Sequence, residues 1–170
     1  ELITHRGPDS DGFYRDDKIN MGFRRLSIID LQAGDQPVYN EYRTLVLNFN
    51  VEIYNYQELR EELIEKGHTF YTKTDSEVLV HWFEEWGEKM LDRLRGMFGF
   101  AIYNKKDGSV FLVRDFFGIK PMHYMNVNGN FVYGSEIKSL LAFPGFEKKF
   151  NEHALDNYLS FQYVVTPETF

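Results

Sequence analysis

The 170-residue sequence predicts an α+β domain in which two antiparallel sheets stack together with helices on the outside. Three patterns carry this expectation. Apolar and polar residues alternate through "GFYRDDKINMGFRRLSIID", as in paired short strands. The segments "QELREELIEKG" and "TDSEVLVHWFEEWG" have the 3.6-residue spacing of amphipathic helices. From Arg95 onward the period returns to two, in short runs separated by turn residues.

In chain order, the first strands are expected at about Gly12 to Arg15 and Ile19 to Ile28, around the turn Asp16-Asp17-Lys18. The loop "LQAGDQPVYN" leads to "TLVLNFN", an apolar run that fits a strand covered on both faces. Asn55 followed by Glu58 has the form of a capping box, for a helix through Lys66 with Leu59, Leu63 and Ile64 inward and Gly67 as its stop. Thr74 and Glu77 repeat that grammar for a helix that turns Val78, Leu79, Trp82 and Phe83 inward and ends at Gly87. Asp75 then falls in its first turn. The runs "MFGFAIYN", "SVFLVRD", "PMHYMN" and "NFVYG" read as a strand meander, with Asn128-Gly129 as a type I′ hairpin turn. Ser135 is expected to cap a short helix to Leu141, and Asn151 another through Leu159. In "HRGPD", Gly7 is expected to supply an unusual φ and His5 to bond backbone. Both chain ends look cut from a longer protein.

The composition narrows the function. With 43% apolar and 17% aromatic residues the chain can bury a sizeable core. Its net charge of −7, with no basic stripe, argues against nucleic acid or anionic membrane as partners and favours a small polar ligand. No apolar run approaches a membrane span and no signal-like start is present, so a cytoplasmic protein is expected. There is no cysteine, which excludes disulfides, thiolate metal sites and a cysteine nucleophile within these residues. The five histidines, at 5, 68, 81, 123 and 153, have no HxxxH or HExxH spacing, and no metal site is expected from them.

The polar residues that stand out are Arg25, Asn50, Glu52 and Asp75. Glu52 and Asp75 both lie near helix starts, where an acid favours the helix dipole by roughly 0.3–1 kcal/mol. For Asp75 that reading suffices. Glu52 follows an apolar strand and precedes the cap, so burial there calls for a positive partner. A free amino acid presents a carboxylate and an ammonium at fixed separation, and a site with Arg25 at one end and Glu52 with Asp75 at the other would fit it.

The order of "HRGPDSDGFY", "RRLSIIDLQAGDQPVYN", "NVEIYNYQELR", "TKTDSEV", "RGMFGFAIYN", "VRDFFGIKPMHY" and "YGSEIKSLL" closely resembles the glutaminase domain of glutamine-hydrolysing asparagine synthetases. These are class II glutamine amidotransferases with the N-terminal-nucleophile hydrolase fold, an αββα sandwich. The resemblance implies an amidotransferase domain over residues 1–150, without its first strands, and a linker over 151–170 entering a synthetase domain. It implies that Arg25 grips the α-carboxylate of L-glutamine, with backbone contacts from Leu26, Ser27, Ile28 and Ile29. By the same resemblance Glu52 and Asp75 orient the substrate, Asp75 through the α-ammonium, while the Asn50 side chain and the N–H of Val51 form the oxyanion hole.

The family's nucleophile is an N-terminal cysteine, whose thioester intermediate is hydrolysed by water; the ammonia goes to the synthetase domain. The resemblance implies no cofactor in this domain, ATP and Mg²⁺ in the synthetase domain, and a parent that forms asparagine or amidates a related carboxylate, with a homodimer as one assembly open to it. Family members usually have Gly where Val51 stands. A left-handed backbone there would be strained by roughly 1–3 kcal/mol with Val. Two other readings fit the same residues: a degenerate domain that binds glutamine or supports its partner without catalysis, and the glutaminase domain of another amidotransferase.

Overall fold

The computed structural model of the chain describes residues 2–25, 36–165 and 168. In chain order it contains a 3₁₀ turn (Thr4–Arg6), β1 (Ser10–Arg15), β2 (Asn20–Arg25), β3 (Val38–Tyr39), β4 (Leu45–Ile53), α1 (Tyr56–Glu65), α2 (Glu77–Trp86) and a second 3₁₀ segment (Gly87–Asp92). There follow β5 (Gly96–Asn104), β6 (Val110–Arg114), β7 (His123–Val127), β8 (Asn130–Gly134), α3 (Ile137–Leu141) and α4 (Glu152–Phe161).

Alternation along β4 builds two cores from one strand. Leu45, Leu47 and Ile53, with the partly buried Phe49 and Val51, turn to one face and meet Leu59 and Leu63 of α1 and Val78, Leu79 and Trp82 of α2. Val46 turns to the other face and packs with Met21, Ala101 and Tyr103, under Tyr14, Ile19 and Tyr133. Each fully buried Leu or Phe side chain here contributes roughly 1.5–3 kcal/mol. The central sheet is antiparallel, in the order β3-β4-β5-β6. One face carries α1 and α2, and the other carries the β1–β2 and β7–β8 hairpins, with α3 packed on the latter. This is the expected αββα layering. Among the described residues the second sheet layer consists of two separate hairpins.

Several local expectations are corrected. Asn55 does not cap α1 with its side chain. Its amide instead donates to Arg93 O (2.9 Å) and accepts from Arg95 N–H (3.0 Å), which ties the helix start to the strand beginning at Gly96. Ile64 is half exposed, because the apolar stripe of α1 is only as wide as Leu59 and Leu63. α2 begins at Glu77, so Asp75 precedes the helix. The Glu77 carboxylate is fully buried and accepts from the N–H groups of Tyr71 (2.8 Å) and Thr72 (2.7 Å), which holds the turn in place of a capping box. Gly7 has φ −152°, which any residue adopts, and Glu136 rather than Ser135 occupies the cap position of α3. Asn151 does cap α4, accepting from Ala154 N–H, and Asn128-Gly129 has two positive φ values, as a type I′ turn requires.

β4 and β5 pair along nine residues, from Leu45↔Asn104 to Ile53↔Gly96. The close approach ends at Gly96, where an added Cβ would lie 2.1 Å from Glu52 O, with φ at +154°. Gly96→Ala is therefore expected to cost more than about 1 kcal/mol of stability, because backbone and not a flexible side chain would have to move. Chemical denaturation checks this, and an unchanged midpoint would show that the strand end yields freely.

Candidate functional site

The paired strands leave part of β4 open. β3 covers it only at Val46 and Leu47, and beyond that point the edge is finished by side chains. Gln36 imitates a strand, accepting from Phe49 N–H (2.8 Å) and donating to Phe49 O (2.9 Å). Asp75 accepts from Ile53 N–H at 2.8 Å. Val51 lies between these two caps.

Its N–H direction follows from the ladder. Phe98, the partner of Val51 on β5, donates to Asp115 Oδ2 (3.3 Å) and accepts from Asp115 N–H (2.7 Å), so both its backbone groups face β6. Val51 and Phe98 thus form a pair without mutual hydrogen bonds, and the Val51 N–H points to the open edge between Gln36 and Asp75. Val51 itself is an ordinary strand residue: the described non-glycine residues with positive φ are Arg43, Asn128 and Gln162. The conditional strain at this position does not arise. Its side chain packs toward α1 and α2, on the face opposite Asn50 and Glu52.

Asn50 and Glu52, two residues apart on one face of β4, open into a cleft of about 610 Å³ that Asp75 also lines. The cleft runs between β4 and the first hairpin, where Asn48 Nδ2 donates to Gly22 O (3.0 Å). Opposite Asn50 stands Gly99, whose missing side chain keeps that wall open. Burial raises the Asp75 carboxyl above its ordinary value, and the neighbouring Glu52 carboxylate pushes the same way against the Ile53 N–H. The site therefore holds acid charge that a ligand cation would relieve.

A second buried carboxylate shapes the far wall. Asp115 is 5% exposed and accepts from Ile119 N–H and Lys120 N–H, both at 2.9 Å, and from Phe98 N–H. Burial opposes its ionisation, but N–H donation, that of Lys120 foremost, outweighs burial and holds the carboxyl below the usual range. Asp115 thereby folds the Ile119–Met122 segment against the cleft.

Of the expected site residues, Asn50, Val51, Glu52 and Asp75 meet in this one cleft. Arg25 ends β2 opposite Ser10, while its side chain and all of Leu26, Ser27, Ile28 and Ile29 lie outside the described residues. His5, expected on backbone, instead bonds Glu136 (2.9 Å) beside Lys138. Sequence reasoning missed Arg24, Gln36 and Thr74, which also line the cleft. Arg24 has a buried Nε without a hydrogen-bond partner, a donor that sequence alone does not reveal. Thr74 receives the Ser76 hydroxyl (3.0 Å) and shares a hydrogen bond with Thr72 Oγ1 (2.8 Å), so a short hydroxyl chain fixes the turn that presents Asp75.

An αββα sandwich whose cleft meets the open edge of a central strand is the architecture of N-terminal-nucleophile hydrolases, and a solved structure shares the fold. The glutamine phosphoribosylpyrophosphate (PRPP) amidotransferase from B. subtilis, complexed with ADP and GMP, superposes with a TM-score of 0.58 at 21% identity, over 71% of this chain and 28% of that one. A family model described as a glutamine amidotransferase domain matches residues 1–170, and the chain belongs to that family. It is 47% identical over 169 residues to the glutamine-hydrolyzing asparagine synthetase 1 of Bacillus subtilis (strain 168), covering 99% of this chain and 27% of that protein. With the glutamine-hydrolyzing asparagine synthetase of Zea mays it shares 42% identity over 139 residues, 81% of this chain and 23% of the relative. The chain spans about a quarter of the length of these relatives.

Two outcomes follow from this geometry. Asp75→Asn keeps an acceptor for Ile53 N–H but removes a charge that folding raises in energy, so the ligand-free variant should melt roughly 1–3 °C higher at neutral pH. The gain should vanish below the ordinary aspartate pKa, where the folded chain already holds the proton; a melting temperature that falls at neutral pH would contradict the assignment. Val51→Gly should lower stability by about 1–2 kcal/mol through lost packing and a looser strand, with the N–H unmoved. Denaturant titration checks the loss, and an equal or greater stability would mean that valine strains this position after all.

Proposed function

We propose that this chain binds L-glutamine in the β4 cleft and, in its parent protein, serves as the glutaminase domain of an asparagine-forming synthetase. The observation that carries the reading is the convergence of Asn50, the Val51 N–H, Glu52 and Asp75, from two separate segments, in one cleft. The family assignment supports glutamine as the ligand.

In this reading Asp75 and Glu52 receive the α-ammonium. The cation offsets the burial that raises the Asp75 carboxyl and keeps that group ionised. Arg25 takes the α-carboxylate through its planar fork, with backbone contacts from Leu26 to Ile29. The side-chain amide oxygen then lies at the edge of β4, between Asn50 Nδ2 and the Val51 N–H. Donors fixed in advance at the position where an oxyanion develops each contribute roughly 2.7–4 kcal/mol to the transition state. The attacking group is a cysteine thiol from outside these 170 residues, which contain no cysteine. It forms the C–S bond, ammonia leaves, and water hydrolyses the thioester. The ammonia is consumed in the synthetase domain, which uses ATP and Mg²⁺ to amidate aspartate. We place the parent in the cytoplasm, and a homodimer is compatible with it; among the described residues no helix is long and apolar enough to cross a membrane.

Calorimetric titration of L-glutamine is the direct test. Saturable binding by the chain is expected, with no ammonia release until a cysteine-bearing N-terminus is restored. Arg25→Ala should abolish the binding heat, because it removes the cation that pairs with the ligand carboxylate. An affinity that survives this substitution would take Arg25 out of the site, and the absence of any heat in both forms would overturn the glutamine reading.

A further inference from the structure

Away from the cleft, a second cluster of ligating side chains surrounds the middle of α2. Glu41 comes from the turn between β3 and β4, His68 from the loop after α1, and His81 and Glu84 from one face of α2, three residues apart. One ligand atom from each of the four lies within 4.8 Å of the others.

The proton arrangement in this cluster is incomplete. His81 is fully buried, and its Nδ1 sits 3.1 Å from Glu41 Oε2, yet neither atom has a hydrogen-bond partner. Two buried polar atoms thus lie side by side unsatisfied, an arrangement that costs free energy unless a cation joins them. His68 Nδ1 lies 3.0 Å from the other oxygen of Glu41.

The outward nitrogens are already engaged. His81 Nε2 faces the buried carboxylate of Glu77 at 3.5 Å, and His68 Nε2 faces Glu85 at 3.3 Å. Both imidazoles therefore turn Nε2 to a carboxylate and Nδ1 inward, the outer-shell pattern that fixes ring orientation around a metal. Asn40 Nδ2 donates to Glu84 Oε2 (3.0 Å), which holds that side chain beside the histidines.

We propose that Glu41, His68, His81 and Glu84 bind one divalent cation of the borderline class, Zn²⁺ in the first instance. Two imidazole nitrogens and two carboxylates suit tetrahedral Zn²⁺, whose ligand atoms stand about 3.3 Å apart for bonds of about 2.0 Å. The 3.1 Å separation of His81 Nδ1 and Glu41 Oε2 already matches, and the other ligand atoms, all within 4.8 Å of one another, close on the ion by side-chain movement that also breaks the hydrogen bond between His68 Nδ1 and Glu41 Oε1. No substrate reaches the ion through the β4 cleft, which these four residues do not line. Its role is structural: it pins the loop from His68 to Glu77, and that loop carries Asp75.

The test is titration of ZnCl₂ into the metal-free chain, read by calorimetry and by thermal melting, with Co²⁺ as a spectroscopic substitute. Expected are one Zn²⁺ per chain, a rise in melting temperature, and visible Co²⁺ absorption of four-coordinate intensity; Mg²⁺ should have no effect. His68→Gln and Glu41→Gln, which spare the buried His81, should each weaken Zn²⁺ at least about tenfold. Failure of Zn²⁺ to bind would overturn the proposal, since the cluster is then closed by a proton. So would equal affinity in the native chain and both variants, which would locate the ion on other histidines.

Discussion

The site depends on one constraint: β4 pairs fully with β5 but loses its other neighbour beyond Leu47, where β3 begins at Val38. A central strand with both edges paired would have no backbone N–H to offer a ligand. Here the Phe49 and Ile53 N–H groups are taken by Gln36 and Asp75, and the Val51 N–H between them faces the cleft. The direction of that donor is set by hydrogen bonds two strands away, where Asp115 occupies both backbone groups of Phe98. The direction of the Val51 N–H is thus fixed by sheet pairing and needs no special backbone conformation, which is why valine is accommodated.

Asp75 and Asp115 show how donor supply decides the fate of a buried carboxylate. Asp115 is surrounded by N–H groups from its own turn and stays ionised despite burial, so it acts as a fold element that orders the cleft wall. Asp75 has fewer donors and a neighbouring acid, and burial raises it. An acid left short of positive partners inside a cleft is poised for a cation from outside. Glu77, only two residues from Asp75, resembles Asp115, with Tyr71 and Thr72 supplying N–H groups. Along one short segment the two acids differ in donor supply: Glu77 is held down by the His81 ring, the Thr72 hydroxyl and backbone N–H groups, while Asp75 has backbone N–H groups alone against burial and Glu52.

Much of this was legible in the sequence. Period-two and period-3.6 patterns located the strands and helices, because the residues that make them are those that bury. Glu52 stood out because a carboxylate after an apolar strand needs a partner. What was not legible came from long-range pairing. Asn55 and Glu58 match a capping box, yet the Asn55 amide is used by the distant Arg93–Arg95 segment. Local sequence cannot price that competition. The same holds for Gln36, whose role as a substitute strand depends on where β3 begins, and for Val51, whose N–H direction follows from its pairing with Phe98 on β5. The histidine cluster escapes spacing rules for a related reason: its four members come from three segments that only the packing of α2 assembles.

An unsealed β-strand edge invites pairing with a strand of another molecule. Two polar side chains, Gln36 and Asp75, occupy that row on β4, and neither presents the extended backbone that a foreign strand would need to continue the ladder. The side chains that leave one N–H open to the cleft also act as gatekeepers against self-association. A chain that lost them would trade a binding pocket for a sheet able to grow.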